Sequence, residues 1–594
     1  MTINERIAAL RVQMKKHNID AYIIPSSDPH QSEYVAEHWQ ARKWISGFTG
    51  SVGTALVTAD YAAVWADSRY FLQAEKEFKG TEVQLQKMKV QGAPEHINWL
   101  LDNLANGATV ACDGLMMAAA QVQSMEKSFA SKNISLDYTL DLITPIWQAR
   151  AAMPDSPIFE HHVKYAGRTR LEKLAQIRVE MQAKNADYHL VSTLDDIAWT
   201  FNLRGSDVEA NPVFIAYSII GINEAYLFID EAKVSAAIKT KLKKDGVTVK
   251  PYASVVSFLE VLPANKSILI DHNIASIYLY NAIKSAKIIH NDTISIALKA
   301  IKNEVEIGHI RSVMVKDGVA LTRMFRWFEQ EISKRGVSEA EFADRLAAFR
   351  SEQKDYYGES FGAIVGYKGN GAIVHYHATH EDCAMIQNEG ILLVDSGGQY
   401  HDGTTDITRT IALSAPTAEQ KRNFTLVLKG HIALAMLRFP HGTKGIQMDI
   451  LARQFLWANN LNYGHGTGHG VGFFLNVHEP PQGIITGLNS RGTTVHEAGM
   501  FSSNEPGFYK ENEYGIRIEN LILATDELEN EYGKFMRFET VTLYPIDLQL
   551  IDKALMTKEE RAWFNQYHKE VYRKLSPKLK VEERAWLKDK CKTI

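Results

Sequence analysis

The chain has 594 residues, too many for one hydrophobic core, so two to four domains are expected. Its 45% apolar and 23% charged content is that of an ordinary globular protein, and a net charge of −4 leaves no basic surplus for nucleic acid. No run approaches the roughly 18 apolar residues that span a bilayer, the charged opening lacks the apolar core of a secretory signal, and three scattered cysteines (Cys112, Cys383, Cys591) point to a reducing cytoplasm, with no disulfide framework or zinc site.

The first element is an amphipathic helix with Ile7, Leu10 and Met14 on one face, followed by a strand over 21–24. The same pattern returns later. Arg11-Val12-Gln13-Met14 reappears as Arg178-Val179-Glu180-Met181, an offset of 167 residues (178 − 11). At that offset Asn18 matches Asn185, Asp20 matches Asp187, and a second strand follows over 188–191. Further apolar strands are predicted over 54–57 and 225–229. Duplication explains these matches better than chance similarity of two helices. Pro154 and Pro157 mark one boundary, and a second falls near Ile301, before a long helical pattern over 304–334. The predicted class is α/β (α+β): related domains over 1–155 and 156–300, then 301–594. From about 557 to 594 a helical, aromatic-rich extension is expected to pack on the third domain.

That third part carries the chemistry. Ile391-Leu392-Leu393-Val394 reads as a buried strand ending at Asp395 in a turn, and 404–411 alternates with Asp406, Thr408 and Thr410 on one face. A hairpin would bring Asp395 and Asp406 together. Taken alone, Asp395 is as readily a turn former as a ligand. Glu505 lies in Ser-Ser-Asn-Glu-Pro-Gly, and Arg517 and Glu519 share a face of the next alternating segment. A surface ion pair is the plain reading of that strand; the neighbouring turn favours an inward pair. His469 lies in a glycine-rich run with His465 and near His478, where glycines allow close backbone approach. Asp395, Asp406, His469, Glu505 and Glu519 offer four carboxylates and one imidazole. Two divalent cations would neutralise them, and a paired-metal site makes hydrolysis the first hypothesis. An oxygen-rich donor set with one imidazole suits Mn²⁺, with Co²⁺, Zn²⁺ or Fe²⁺ as alternatives.

The segments DSGGQY…DGTTDITRT, HGTGHGVG, SSNEPG and GIRIEN, with GFTGSVGTALV…WADSRYFLQAE near the start, resemble aminopeptidase P, the Xaa-Pro aminopeptidases. The resemblance spans the chain and matches the long, three-domain form: two creatinase-like N-terminal domains before a pita-bread catalytic domain. It implies that Asp395 chelates one metal, Asp406 and Glu519 bridge both, and His469 and Glu505 bind the second. It further implies attack on the Xaa-Pro bond by a hydroxide held between the metals, with Glu505 as proton shuttle. His375, His465 and His478 match histidines that bind peptide or stabilise the tetrahedral intermediate. Arg517 matches an active-site arginine, and Arg69 one that reaches toward bound peptide, in its own or a partner subunit's site. His377 and His380 are read as bystanders, either remaining an alternative to His375. Phe361 is a candidate for an apolar proline wall. Glu479-Pro480-Pro481 departs from the family, where glycine is expected after the glutamate, and is expected to alter a loop at the pocket mouth. The implied partners are peptides with proline second, with no nucleic acid and no membrane, and a homodimer is implied. Prolidase, a non-catalytic pita-bread binding protein and creatinase-like chemistry are the rivals. The tandem repeat disfavours the first, and the intact ligand set disfavours the other two.

Overall fold

Two threonines start the repeated segments in the same way. Thr2 caps helix α1 (Ile3–Lys16) and Thr169 caps helix α2 (Arg170–Ala183), while Glu5 and Glu172 reach back to the N–H of their respective cap residues. This capping box satisfies donors that the first helical turn leaves unpaired. After each helix an asparagine takes the left-handed conformation, Asn18 at φ 56° and Asn185 at φ 55°, which a short polar side chain tolerates. Two residues on, the Asp20 carboxylate accepts from the N–H of Thr109 at 2.7 Å, and that of Asp187 from the N–H of Ser267 at 2.9 Å. The repeated Asn and Asp therefore do the same work in both copies: they turn the chain and anchor a neighbouring strand.

The first sheet contains β1 (Ala21–Ile24), β2 (Thr54–Thr58), β3 (Ala62–Ala66), β4 (Gln84–Lys87), β5 (Thr109–Cys112) and β6 (Ser135–Asp137), in the order β4-β3-β2-β1-β5-β6. The second contains β7 (Tyr188–Val191), β8 (Ala216–Gly221), β9 (Ala225–Ile229), β10 (Val247–Lys250), β11 (Ser267–Ile270) and β12 (Lys287–His290), in the order β10-β9-β8-β7-β11-β12. The two orders are the same strand for strand. In each, the second strand runs antiparallel to its two neighbours and the other pairings are parallel. The central strands are buried and mostly apolar because both faces are covered, with buried polar exceptions such as His189 and Ser218 in the second sheet. The tandem α/β repeat read from the sequence is thus present. The structure, a computed structural model, describes residues 1–89 and 93–594. They form two units, residues 1–161 with 168–296, and residues 162–167 with 297–594.

The second unit begins with α3 (Glu304–Ile332), whose Asn303 cap also donates to the Ala166 carbonyl at 2.9 Å. With α4 (Glu339–Ser351) it packs on an antiparallel sheet of β13 (Ile364–Tyr367), β14 (Ile391–Ser396) and β15 (Ile407–Ala412). Phe325, Phe328, Phe342 and Leu346 face Val365, Leu392 and Val394 in that core. A second pair, α5 (Ala418–Ala435) and α6 (Gly445–Trp457), covers a six-stranded sheet. That sheet comprises β16 (Arg438–Pro440), β17 (Gly468–Gly470), β18 (Glu479–Ile484), β19 (Phe501–Asn504), β22 (Asn520–Asn530) and β23 (Gly533–Thr540), in the order β16-β23-β22-β19-β17-β18. The hairpin β20 (Gly507–Lys510) and β21 (Tyr514–Arg517) joins β19 to β22. Helices α7 (Lys558–Leu575) and α8 (Val581–Lys590) follow, and Phe564, Val571 and Leu575 of α7 are buried in the main core.

Three interior imidazoles bear on stability. Burial drives the pKa of His189 down to about 4, that of His496 to about 4 and that of His568 to about 3. Both His496 ring nitrogens lack a partner. Each group is neutral when folded and protonates near pH 6.5 when unfolded. The unfolded chain therefore binds more protons between pH 6.5 and 4, and stability falls as pH drops through that window. At pH 5 each buried imidazole should cost about 2 kcal/mol relative to pH 7. His496→Leu should lose less stability than wild type between pH 7 and pH 5 in urea unfolding followed by circular dichroism. Equal losses would contradict this.

Candidate metal centre

Asp395 is the penultimate residue of β14 and stands opposite Thr408 of β15. Asp406 lies immediately before β15. One antiparallel hairpin joins them, as the alternation predicts. Residues 398–404 form its tip in the same register, Gly403-Thr404 pairing with Gln399-Tyr400, and the ladder is interrupted around Gly397 and Asp406, where the chain turns from one sheet into the next. Gly397 permits this turn, since a Cβ there would stand 1.9 Å from the Thr405 carbonyl oxygen. The second carboxylate pair occupies a matching break. Asn504 is opposite Asn520, and Gly507 is opposite Arg517. Glu505-Pro506 and Ile518-Glu519 therefore fall where two strands pass from one sheet to the hairpin beside it. The Glu505 N–H donates to the Thr467 carbonyl at 2.8 Å, and the Glu519 N–H to the Thr408 carbonyl at 3.1 Å. The second of these ties the two halves of the site together.

His469 sits in the middle of β17. Its Nδ1 lies 2.9 Å from the Gly470 carbonyl oxygen, which makes Nδ1 the donor and leaves Nε2 as a lone-pair acceptor. Nε2 is 3.6 Å from Asp406 Oδ2 and 3.4 Å from Glu505 Oε1. The surrounding glycines make room for backbone: a Cβ at Gly468 would stand 2.1 Å from the Ser503 carbonyl oxygen. Ligand atoms of Asp406, His469 and Glu519 all lie within 4.8 Å of one another. Asp395 joins them through Arg517, whose Nη2 donates to Asp395 Oδ2 at 2.6 Å.

Like charges crowd this space. Burial first, then the charges of Glu519, Asp395 and Glu505, hold the Asp406 carboxyl well above the usual range. Burial, then Glu505 and Asp395, do the same to Glu519. Burial pushes Glu505 up to about 7, with Arg517 opposing and Asp395 adding to the rise. Burial disfavours the Arg517 cation, but Tyr509, Asp395 and Glu505 outweigh it and the guanidinium stays charged. Asp395 Oδ1 and Glu519 Oε1 are buried without a hydrogen-bond partner. Orphaned carboxylate oxygens are costly, and together with the Asp406–His469–Glu519 cluster they fit a divalent cation.

Three neighbours went unnoticed as site residues in the sequence. Thr408 Oγ1 donates to Glu519 Oε2 at 2.7 Å and accepts from Arg517 Nε at 3.2 Å. Tyr509 is linked to Arg517 Nη1 at 2.7 Å and to His465 Nε2 at 2.8 Å. Ser503 donates to Glu505 Oε1 at 3.1 Å. Their signal was positional, since each lies within a few residues of a motif carboxylate, but hydroxyl side chains are common in strands for other reasons.

The remaining named residues are placed as follows. His478 stands edge-on to His469, with ring centroids 4.3 Å apart. His375 is half-buried beside Val374, whose carbonyl oxygen is 3.4 Å from Arg517 Nη2. His377 is exposed, and His380 lies at the surface 3.1 Å from Asp344. Phe361 is buried. Arg69 belongs to the first unit and makes a two-pronged contact with Asp67 at 2.9 and 2.7 Å. Glu479-Pro480-Pro481, expected in a loop, lies instead in β18. The Glu479 carboxylate is buried against Lys302 there, so strand pairing and an ion pair fix the segment.

Comparisons with known proteins agree with this geometry. Models of the creatinase/prolidase N-terminal domain match residues 6–143 and again 149–306. The model of metallopeptidase family M24 matches 308–526, and that of the C-terminal region of peptidase M24 matches 534–594. A probable Xaa-Pro aminopeptidase P of Laccaria bicolor is 41% identical, over 100% of this chain and 94% of its own. Aminopeptidase P2 of Arabidopsis thaliana is 39% identical, over 98% of this chain and 87% of its own. Among solved structures, the X-prolyl aminopeptidase of Caenorhabditis elegans, a cytosolic enzyme with a di-nuclear active site, superposes with a TM-score of 0.95 at 31% identity, covering both chains fully. The fold and site define a metallopeptidase of family M24, and within it the chain belongs to the Xaa-Pro aminopeptidase P family. Among the described residues no helix is long and apolar enough to cross a membrane.

The raised carboxyl pKa values have a measurable consequence. In the metal-free site Asp406 and Glu519 hold their protons more tightly than ordinary carboxyls, and Glu505, pushed up to about 7, keeps part of its proton at pH 6.5. A divalent cation favours the ionised forms, so its binding must expel protons. Titration calorimetry of Mn²⁺ into metal-free protein, in buffers of different ionisation enthalpy, should show release of at least one proton. No dependence on the buffer would contradict the electrostatics described above.

Proposed function

We propose that this chain is a metallo-aminopeptidase that releases the first residue from peptides with proline in second place. The observation that carries the reading is the cluster of Asp406, His469 and Glu519, with buried unpartnered oxygens on Glu519 and on the electrostatically coupled Asp395, in a chain that matches aminopeptidase P relatives along its whole length. Asp395, Asp406, His469, Glu505 and Glu519 are the residues to hold two divalent cations, with Mn²⁺ the best match to the donor set and Co²⁺, Zn²⁺ and Fe²⁺ next. When bound, such cations supply Lewis acidity and make water a nucleophile at neutral pH. Glu505 is the group to take the proton from water and return it to the prolyl nitrogen. Its carboxyl, pushed up to about 7 by burial, is matched to that exchange near neutrality. Arg517 holds Asp395 and, through Tyr509, fixes the ring of His465. His478 and His375 are then the donors for the peptide carbonyl as it gains charge, and His465, engaged at both ring nitrogens by the Gly466 carbonyl and Tyr509, shapes the wall beside them.

An Xaa-Pro bond has no N–H to offer a peptidase that binds its substrate as a strand, so the site must grip the free α-amine and the proline ring. Carboxylates of the cluster suit the amine, Phe361 suits the ring, and Arg69 suits the rest of the peptide. The domain division 1–155, 156–300 and 301–594, a homodimer and a cytoplasmic location complete the proposal. The full-length resemblance to a cytosolic X-prolyl aminopeptidase supports it.

Arginine release from Arg-Pro-Pro tests the reaction, because a strict dipeptidase would leave the tripeptide intact. Glu505→Gln should lower kcat by roughly 10²–10⁴-fold while elemental analysis still finds metal. Near-normal turnover would remove Glu505 from the proton path.

A further inference from the structure

Arg409 follows Thr408 in β15, so its side chain leaves the strand on the face opposite the carboxylates. It is 2% exposed and makes no hydrogen bond to a carboxylate. Its acceptors fall into two groups. On one side Nη1 reaches the carbonyl oxygens of Thr408 at 2.9 Å and Glu519 at 2.5 Å, and Nη2 reaches Asn520 Oδ1 at 2.8 Å. These belong to the backbone that carries the candidate ligands Asp406 and Glu519, and to the residue after Glu519. On the other side Nε reaches the Pro545 carbonyl at 3.0 Å, and Nη2 the Tyr544 carbonyl at 2.7 Å and the Tyr567 hydroxyl at 2.9 Å. All three lie in the C-terminal region beyond β23.

Tyr567 closes the arrangement. It projects from α7, is buried, and its hydroxyl also lies 2.8 Å from the Tyr544 carbonyl, 3.1 Å from the Thr542 carbonyl and 3.2 Å from Asn520 Oδ1. A planar fork has no rotational freedom once five N–H groups are engaged. The position of α7 therefore fixes the guanidinium, and the guanidinium fixes the two carbonyls. Thr408 in turn bonds Glu519 through both its carbonyl and its hydroxyl. A shift on the Arg409 side of β15 thus moves a candidate ligand on the other side.

We propose that Tyr567 is a positioning residue for the metal centre: acting through Arg409, it sets where Glu519 and Thr408 stand and makes helix α7 part of the metal-holding apparatus. This rests on the metal reading above. Outer partners of metal ligands typically contribute 10–100-fold in affinity or activity. In the full-length protein, Tyr567→Phe should weaken Mn²⁺ binding to metal-stripped protein about tenfold by calorimetry and lower kcat for Arg-Pro-Pro by a similar factor, with KM changed less than about twofold. Phe564→Leu, in the same helix and the same core but without a bond to Arg409, is the control. At an equal or larger loss of thermal stability it should leave Mn²⁺ affinity and kcat within about twofold. Arg409→Lys, which keeps the charge and loses the fork, should reproduce the Tyr567→Phe effect. Wild-type Mn²⁺ affinity in Tyr567→Phe or Arg409→Lys would overturn the proposal, as would an equal loss in Phe564→Leu. Wild-type protein that binds no divalent cation would overturn the metal reading together with it.

Discussion

Four carboxylates, three of them buried and Glu505 half-buried, crowd one another's charge beside the His469 strand and set the terms for the catalytic unit. Such a cluster cannot stay ionised in a dry interior without compensating charge, and Arg517 supplies only one positive charge. Protons or cations must supply the rest, and Asp395 and Glu519 each keep a buried oxygen without a hydrogen-bond partner. The fold's task is to hold those oxygens in place against their repulsion. It does so with backbone: each carboxylate sits at or beside the end of a strand, where the chain passes from one sheet to another, and a carbonyl of one half accepts the N–H of a ligand in the other. Helices α3 to α6 complete the enclosure from outside, and α7 reaches the same floor through Arg409.

The same constraint explains the residues around the ligands. Gly397 and Gly468 occupy positions where a side chain would strike a carbonyl oxygen needed to bring the strands together. Thr408 faces the site on β15, and Arg409 faces away from it, so one strand serves both the ligands and their support. The two N-terminal sheets contribute no ligand. They share one topology, with matching capping threonines and anchoring aspartates, as expected of a duplicated unit.

Much of this was legible in the sequence, for physical reasons. The apolar run into Asp395, the alternation over β15 and before Glu519, and the turn chemistry around Glu505 mark strand ends and faces, so Asp395, Asp406, Glu505 and Glu519 stand out in the sequence. The match of Arg11–Met14 with Arg178–Met181 at one offset located the repeat, and the left-handed backbone at Asn18 and Asn185 shows why those residues recur with it. What stayed hidden was what pairing alone decides. The hairpin of Asp395 and Asp406 forms as the sequence suggests, but that its base and tip belong to different sheets depends on which distant strands pair with each. Glu479 was assigned to a loop because nothing local announces a buried Lys302 177 residues away. Tyr509, Thr408 and Tyr567 are ordinary hydroxyl side chains in sequence. Only the fold shows that their oxygens meet Arg517, Glu519 and Arg409.

The central claim is that the carboxylate cluster exists to hold two cations, and stoichiometry tests it most directly. Metal-stripped protein titrated with Mn²⁺, with bound metal counted by elemental analysis and arginine release from Arg-Pro-Pro followed in parallel, should take up two equivalents per chain and gain activity as they bind. Full activity in the stripped protein, or saturation with no metal retained, would contradict the account.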